Sequence, residues 1–112
     1  MREALDQVER LLRDYGHNYE ANLAAIARAA FERAPRAACR AINADEWWNG
    51  SRSLAAIDLA IEGGFTAQAR RDAHDLRRAL AEIFATMRAS GEGNEAGEIV
   101  VSQFNKWIES HI

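Results

Sequence analysis

The residues able to exchange a proton near neutral pH at their ordinary pKa are His17, His74 and His111. None is set where acid-base chemistry would need it. His17 follows Gly16, a glycine read as a helix stop, so backbone hydrogen bonding in a turn accounts for it. His74 lies away from the apolar row of its helix between Asp72 and Asp75, and His111 is next to the last residue. A dinuclear metal bundle needs inward glutamates with Glu-x-x-His pairs, and His-Glu-x-x-His would mark a zinc protease. The chain has neither pattern, so neither a metal nor another cofactor is expected. Gly50-Ser51-Arg52-Ser53 lacks the Gly-x-Ser-x-Gly of a nucleophile elbow. Gly63-Gly64 and Gly91-Glu92-Gly93 lack the lysine of a phosphate loop and read as helix stops. Cys39, the single cysteine, sits beside Ala38 and Ile42 and reads as core packing.

Arg70, Arg71, Arg77 and Arg78 form the one basic cluster, but Asp75 and Glu82 fall at helical spacing from it and no aromatic residue interleaves. That mixture describes a solvated helix face. The segment Asp45-Glu46-Trp47-Trp48-Asn49-Gly50-Ser51-Arg52-Ser53 is different in kind. Consecutive helical residues point about 100° apart, so Trp47 and Trp48 on one helix cannot both follow a narrow stripe into the core. Two arrangements satisfy this. Both indoles wedge between short helices with their N–H groups bonded to carbonyls, or one packs while the other joins Asp45, Glu46, Asn49 and Arg52 in a recognition surface, as tryptophan and arginine often do at interfaces. Asp58 and Glu62, four apart on the following segment, add an acidic patch beside it. The candidate binding set is therefore Trp47, Trp48, Asn49, Arg52, Asp58 and Glu62.

The run Trp47-Trp48-Asn49-Gly50-Ser51-Arg52-Ser53-Leu54-Ala55 resembles the Trp-Trp-Gly-Gly-x-Gly-Ser-hydrophobic-Ala segment of a group of small bacterial helical proteins of unknown function. Ser102-Gln103-Phe104-Asn105-Lys106-Trp107 is similar to their C-terminal helix. The chain departs from the pattern at Asn49 and Arg52, where glycine is expected. The resemblance implies a bacterial origin and a helical fold and supplies no activity.

The elements that must hold this segment follow from periodicity. Leu5, Val8, Leu11, Leu12 and Tyr15 gather on one face of a helix over 3–15, which Gly16 ends. Asn18 is the expected N-cap of a second, alanine-rich helix whose stripe is Tyr19, Leu23, Ile26 and Ala30, with Phe31 at its edge. Pro35 forces a break near Ala34 and starts a shorter helix carrying Ala38, Cys39 and Ile42, expected to run to about Trp48. Ser51 or Ser53 would cap a short helix through Leu54, Ile57, Leu59 and Ile61. Thr66 would cap the longest one, whose seam is Ala69, Ala73, Leu76, Leu80, Ile83 and Met87. After Gly91-Glu92-Gly93, Asn94 caps a last helix carrying Val100, Phe104 and Trp107. The expected fold is all-α, four main helices and two short central ones in a bundle-like or orthogonal array, with a helical hairpin at each end.

A chain of 112 residues argues for one domain. Its net charge of −3 and single cysteine argue against nucleic acid as a partner and against a disulfide framework. No apolar run approaches the ~20 residues that span a bilayer and the N-terminus has no signal-peptide core, so no membrane is expected and a cytoplasmic location is. The leading expectation is a non-enzymatic interaction protein of the adaptor or immunity kind, meeting a protein partner through Trp47, Trp48 and the turn after them. The alternatives are a small-molecule-binding domain or small enzyme with a Trp-lined pocket between the short helices, and a homodimer joined along the Ala69 to Met87 seam.

Overall fold

Each end of the chain is a helical hairpin closed by a glycine. The computed structural model describes residues 1–50, 53–57 and 67–109. Helix α1 (Arg2–Asp14) is followed by Gly16 at φ 82°, where the Gly16 N–H donates to the Arg13 carbonyl and the His17 N–H to that of Leu12. Helix α5 (Ala67–Ala89) is followed in the same way by Gly91 at φ 92°, with Gly91 bonded to Arg88 and Glu92 to Met87. Both are Schellman closures, and both need the left-handed backbone that glycine adopts without strain. Helices α2 (Asn18–Arg33) and α6 (Glu95–Glu109) then run back antiparallel to their partners. Ion pairs Arg2–Glu32 and Arg28–Glu9 fix that direction at one end, and Arg88–Glu98 with Arg77 over the Trp107 ring fixes it at the other.

Between the hairpins lie α3 (Pro35–Ile42), α4 (Asp45–Trp48) and a 3₁₀ turn at Leu54–Ala56. Pro35 opens α3 as expected, with Ala34 extended before it. No strand occurs among the described residues, so the fold is all-α. The radius of gyration, 13.2 Å, matches the roughly 13 Å expected of one domain of this length.

Several expectations are corrected. The expected helix from Arg36 to Trp48 is two: Asn43 (φ −77°, ψ 61°) and Ala44 (φ −136°, ψ 153°) leave helical geometry, so α3 ends at Ile42 and α4 starts at Asp45. Helix α2 begins at Asn18 with His17 in the N-cap place, and Asn18 caps nothing. Its buried face is Ala21, Ala24 and Ala27; Tyr19 and Ile26 are 65% and 63% exposed. The large residues of α1 explain the choice: Leu5, Val8, Leu11 and Leu12 are buried and fill the space that small alanines leave, so the backbones of α1 and α2 approach closely. The seam of α5 is also spent within the chain. Ala69, Ala73, Leu76, Leu80, Ile83 and Met87 are buried inside one copy, which removes the seam as a dimer interface. Asn94 behaves as expected, its Oδ1 accepting the Gly97 N–H at 2.7 Å to cap α6. The expected helix after Ser53 is a 3₁₀ turn as far as Ala56, and its continuation through Leu59 and Ile61, like the Thr66 cap, lies outside the described residues.

Candidate functional site

The helix break at Asn43-Ala44 decides where the tryptophans go. On an unbroken helix, Trp48 would sit six residues beyond Ile42, about 9 Å along the axis and two-thirds of a turn around it. With the break, the chain folds back and the Trp48 Nε1–H donates to the Ile42 carbonyl at 2.9 Å, a bond that satisfies both groups away from water. The Trp48 ring meets Phe84 of α5 edge-on, centroids 5.2 Å apart at 76°, and Trp47 lies against Trp48 at 6.1 Å. Both geometries suit aromatic quadrupoles.

Trp47 and Trp48 are therefore both buried, at 3% and 1% exposure. The expectation of an outer indole at the surface is not met, and neither ring has a free face for a small molecule to stack on. The reason is that α4 is a single turn separate from α3, and both of its indoles join the core cluster. The pair packs on the second hairpin, Trp48 against Phe84 of α5 and α4 beside α6. Arg52, Asp58 and Glu62 lie outside the described residues, so the remainder of the expected surface is Asn49, exposed beside α4.

Burial of the two indoles turns the other side of α4 outward. Asp45, Glu46 and Asn49 are exposed, and the chain then turns at Gly50 (φ 87°), whose carbonyl accepts the Ser53 hydroxyl at 2.9 Å. Across from them stand Tyr19, Glu20 and Leu23 of α2. Together with Ser53 these residues enclose a groove of about 340 Å³. The Tyr19 hydroxyl donates to the Glu46 carboxylate at 2.5 Å and ties α2 to α4 across it. Among the described residues no ion pair reaches Glu20, Asp45 or Glu46. The groove therefore combines an apolar wall with negative charge that no described cation pairs with.

That charge acts on Tyr19. Its phenol is pushed above the ordinary value of 10.0, first by the hydrogen bond to Glu46, then by the Glu46 charge, by partial desolvation and by Glu20. Tyr15, the second of two tyrosines, is raised as well, first by its 2.7 Å hydrogen bond to Asp72. Because the folded values are raised, the stabilisation from these bonds is complete below the unfolded pKa and is lost as pH rises through the folded one. Absorbance titration of the native protein at alkaline pH should find both phenols ionising above the free-tyrosine range. Glu46→Ala should return one of them toward it and leave the other; a wild-type protein whose two phenols titrate like free tyrosine would remove the link between α2 and α4.

Among the described residues the histidines and the basic cluster form no second site. His17 occupies the turn before α2, its N–H closing α1, while His74 is half-buried on α5 and His111 lies outside the described residues. No three metal-ligating side chains converge among the described residues. Arg71 donates to Gln68, not to Asp75, and Arg77 covers Trp107. A wider concavity of about 810 Å³ runs along α5 and α6 past Ile99, and its lining mixes Arg88 and Lys106 with Glu95, Glu98 and Glu109. No helix among the described residues is long and apolar enough to cross a membrane.

Sequence reasoning missed Tyr19 and Ile26 as surface residues because α2 carries two apolar rows. The alanine row was the sign of the buried one, since close helix approach needs small side chains. Comparison with protein-family models, with curated proteins and with solved structures finds no match, so the groove itself has to carry the functional reading.

Proposed function

We propose that this chain is a non-enzymatic protein-interaction module, of the adaptor or immunity kind, that receives a protein partner in the groove between α2 and α4. One observation carries the reading: Tyr19, Leu23 and Ile26 form an apolar row on the outward side of α2, beside an α4 whose exposed residues are Asp45 and Glu46. Large apolar side chains grouped beside polar ones on a small domain mark interaction surfaces, and tyrosine is among the residues that most often carry binding energy. The tryptophans keep a part in it as the buried anchor of α4, which leaves Asp45 and Glu46 outward. A small-molecule site loses its support, because the rings expected to stack on a ligand are spent on the core. A bacterial, cytoplasmic setting fits the resemblance at Trp47 to Ala55 and the single, buried Cys39.

Tyr19 and Ile26 are more than 60% exposed, so a Tyr19→Ala, Ile26→Glu variant should keep its fold. Purification of tagged protein from its native cells at endogenous level should yield a stoichiometric partner with the wild type and lose it with this variant, thermal stability being matched. A partner retained by the folded variant would move the interface elsewhere.

A further inference from the structure

Resting on the interaction reading, we infer that the groove's occupant is a cationic amphipathic helix of the partner, its apolar row laid along Tyr19, Leu23 and Ile26 and its lysines or arginines over Glu20, Asp45 and Glu46. The shape of the wall selects a helix. Tyr19 and Leu23 line the groove and exposed Ile26 continues their row outside it, at four- and three-residue steps over about 10.5 Å, two turns of helix, which is the spacing at which apolar residues of a second helix recur along its contact face. Arg33, seven residues beyond Ile26 and exposed, ends the apolar row at the other extreme.

The charge selects the sign. Glu20, Asp45 and Glu46 line the groove and no described cation pairs with them. An acidic or neutral segment would leave these carboxylates desolvated without compensation, whereas a cationic one gains attraction and a faster encounter. Glu46 meets that segment already oriented, since the Tyr19 hydroxyl holds its carboxylate at 2.5 Å. The concavity along α5 and α6 is lined by both signs, Arg88 and Lys106 beside Glu95, Glu98 and Glu109, whereas the charged residues lining the groove between α2 and α4 are all acidic among the described ones.

Two synthetic peptides with the same leucine row at helical spacing, one with lysine and one with glutamate at every polar position, test the inference on the full chain by amide chemical-shift titration. The lysine peptide should bind with shifts confined to residues 19–26 and 45–49. Its affinity should fall with added salt and drop about tenfold or more in an Asp45→Lys variant, while Asp45→Asn loses less. Equal binding of the glutamate peptide, shifts spread over other acidic surface, or no binding of the lysine peptide would each overturn it. Failure here with the cellular partner still lost in Tyr19→Ala, Ile26→Glu would refute the cationic helix alone; retention of that partner would refute the groove reading beneath it.

Discussion

Replacing Trp48 with alanine should destabilise the fold by about 3–5 kcal/mol, the cost of removing a large aromatic side chain from a core that relaxes only in part. Trp48 is 1% exposed and has Phe84 and Trp47 as ring neighbours. Its loss opens a void among them and leaves the Ile42 carbonyl without its indole donor. Trp48→Phe restores most of the ring and none of the hydrogen bond, and the Ile42 carbonyl keeps the Ala44 N–H at 2.8 Å, so it should cost roughly 0.5–1.5 kcal/mol, as loss of one net hydrogen bond does. Urea denaturation checks both. The midpoint should fall in that order with little change in slope, since the surface exposed on unfolding is nearly the same. A loss below about 1 kcal/mol for Trp48→Ala would mean that the indole is not packed as described. Because a domain of this kind is stable by about 5–15 kcal/mol in all, the alanine variant should sit close to its unfolding threshold at growth temperature.

Gly97→Ala should destabilise by about 1–3 kcal/mol through overpacking, although alanine is the better helix former. A Cβ at this position would stand 2.4 Å from the Phe84 Cε1 and 3.2 Å from the Asn94 Oδ1 that caps α6. The helix must shift away or Phe84 must move. Phe84 is 4% exposed and has Trp48 against it, so its displacement passes to the tryptophan pair. Thermal unfolding should therefore show a lower midpoint, and the near-ultraviolet dichroism of the tryptophans should change with it. An unchanged or higher midpoint would mean that α6 does not approach α5 at Gly97. If Gly97→Ala and Trp48→Ala act on one cluster, their combined cost should also differ from the sum of the single costs.

The legible and illegible parts of this fold have separate physical causes. Helices α1 and α5 were readable because their large apolar residues occupy one face and polar residues the others, so a single packing solution exists. The glycine closures were readable for a local reason, the positive φ that Gly16 and Gly91 supply. Helix α2 was not, since Tyr19-Leu23-Ile26 and Ala21-Ala24-Ala27 both recur at helical spacing. The choice between them depends on the side chains of α1, which are distant along the chain. The break at Asn43-Ala44 likewise carries no proline or glycine. It is held by the bond from Trp48 to Ile42 and by polar contacts that reach across the fold, Asn43 accepting from Asn94 at 2.6 Å and donating to Glu92 at 3.1 Å.

The same break explains the fate of the candidate site. Two adjacent tryptophans cannot both follow one narrow stripe of a helix, and of the two arrangements this leaves, α4 adopts the one in which both indoles are buried. Asp45, Glu46 and Asn49 gained their exposure from the burial of Trp47 and Trp48, so the segment singled out in the sequence adjoins the groove through its polar residues and supports it through its aromatic ones. Tyr19, Glu20 and Leu23 join it only in three dimensions.

The most direct test of the central claim, that the outward face of α2 is a protein-docking surface, is photo-crosslinking in living cells. A light-activated amino acid would be placed at Ile26 in one protein and, as control, at exposed Glu82 on α5 in another. The groove reading predicts one discrete covalent adduct from position 26, competed away by excess untagged wild type, and none from position 82. No adduct from position 26, or the same adduct from both, would contradict it.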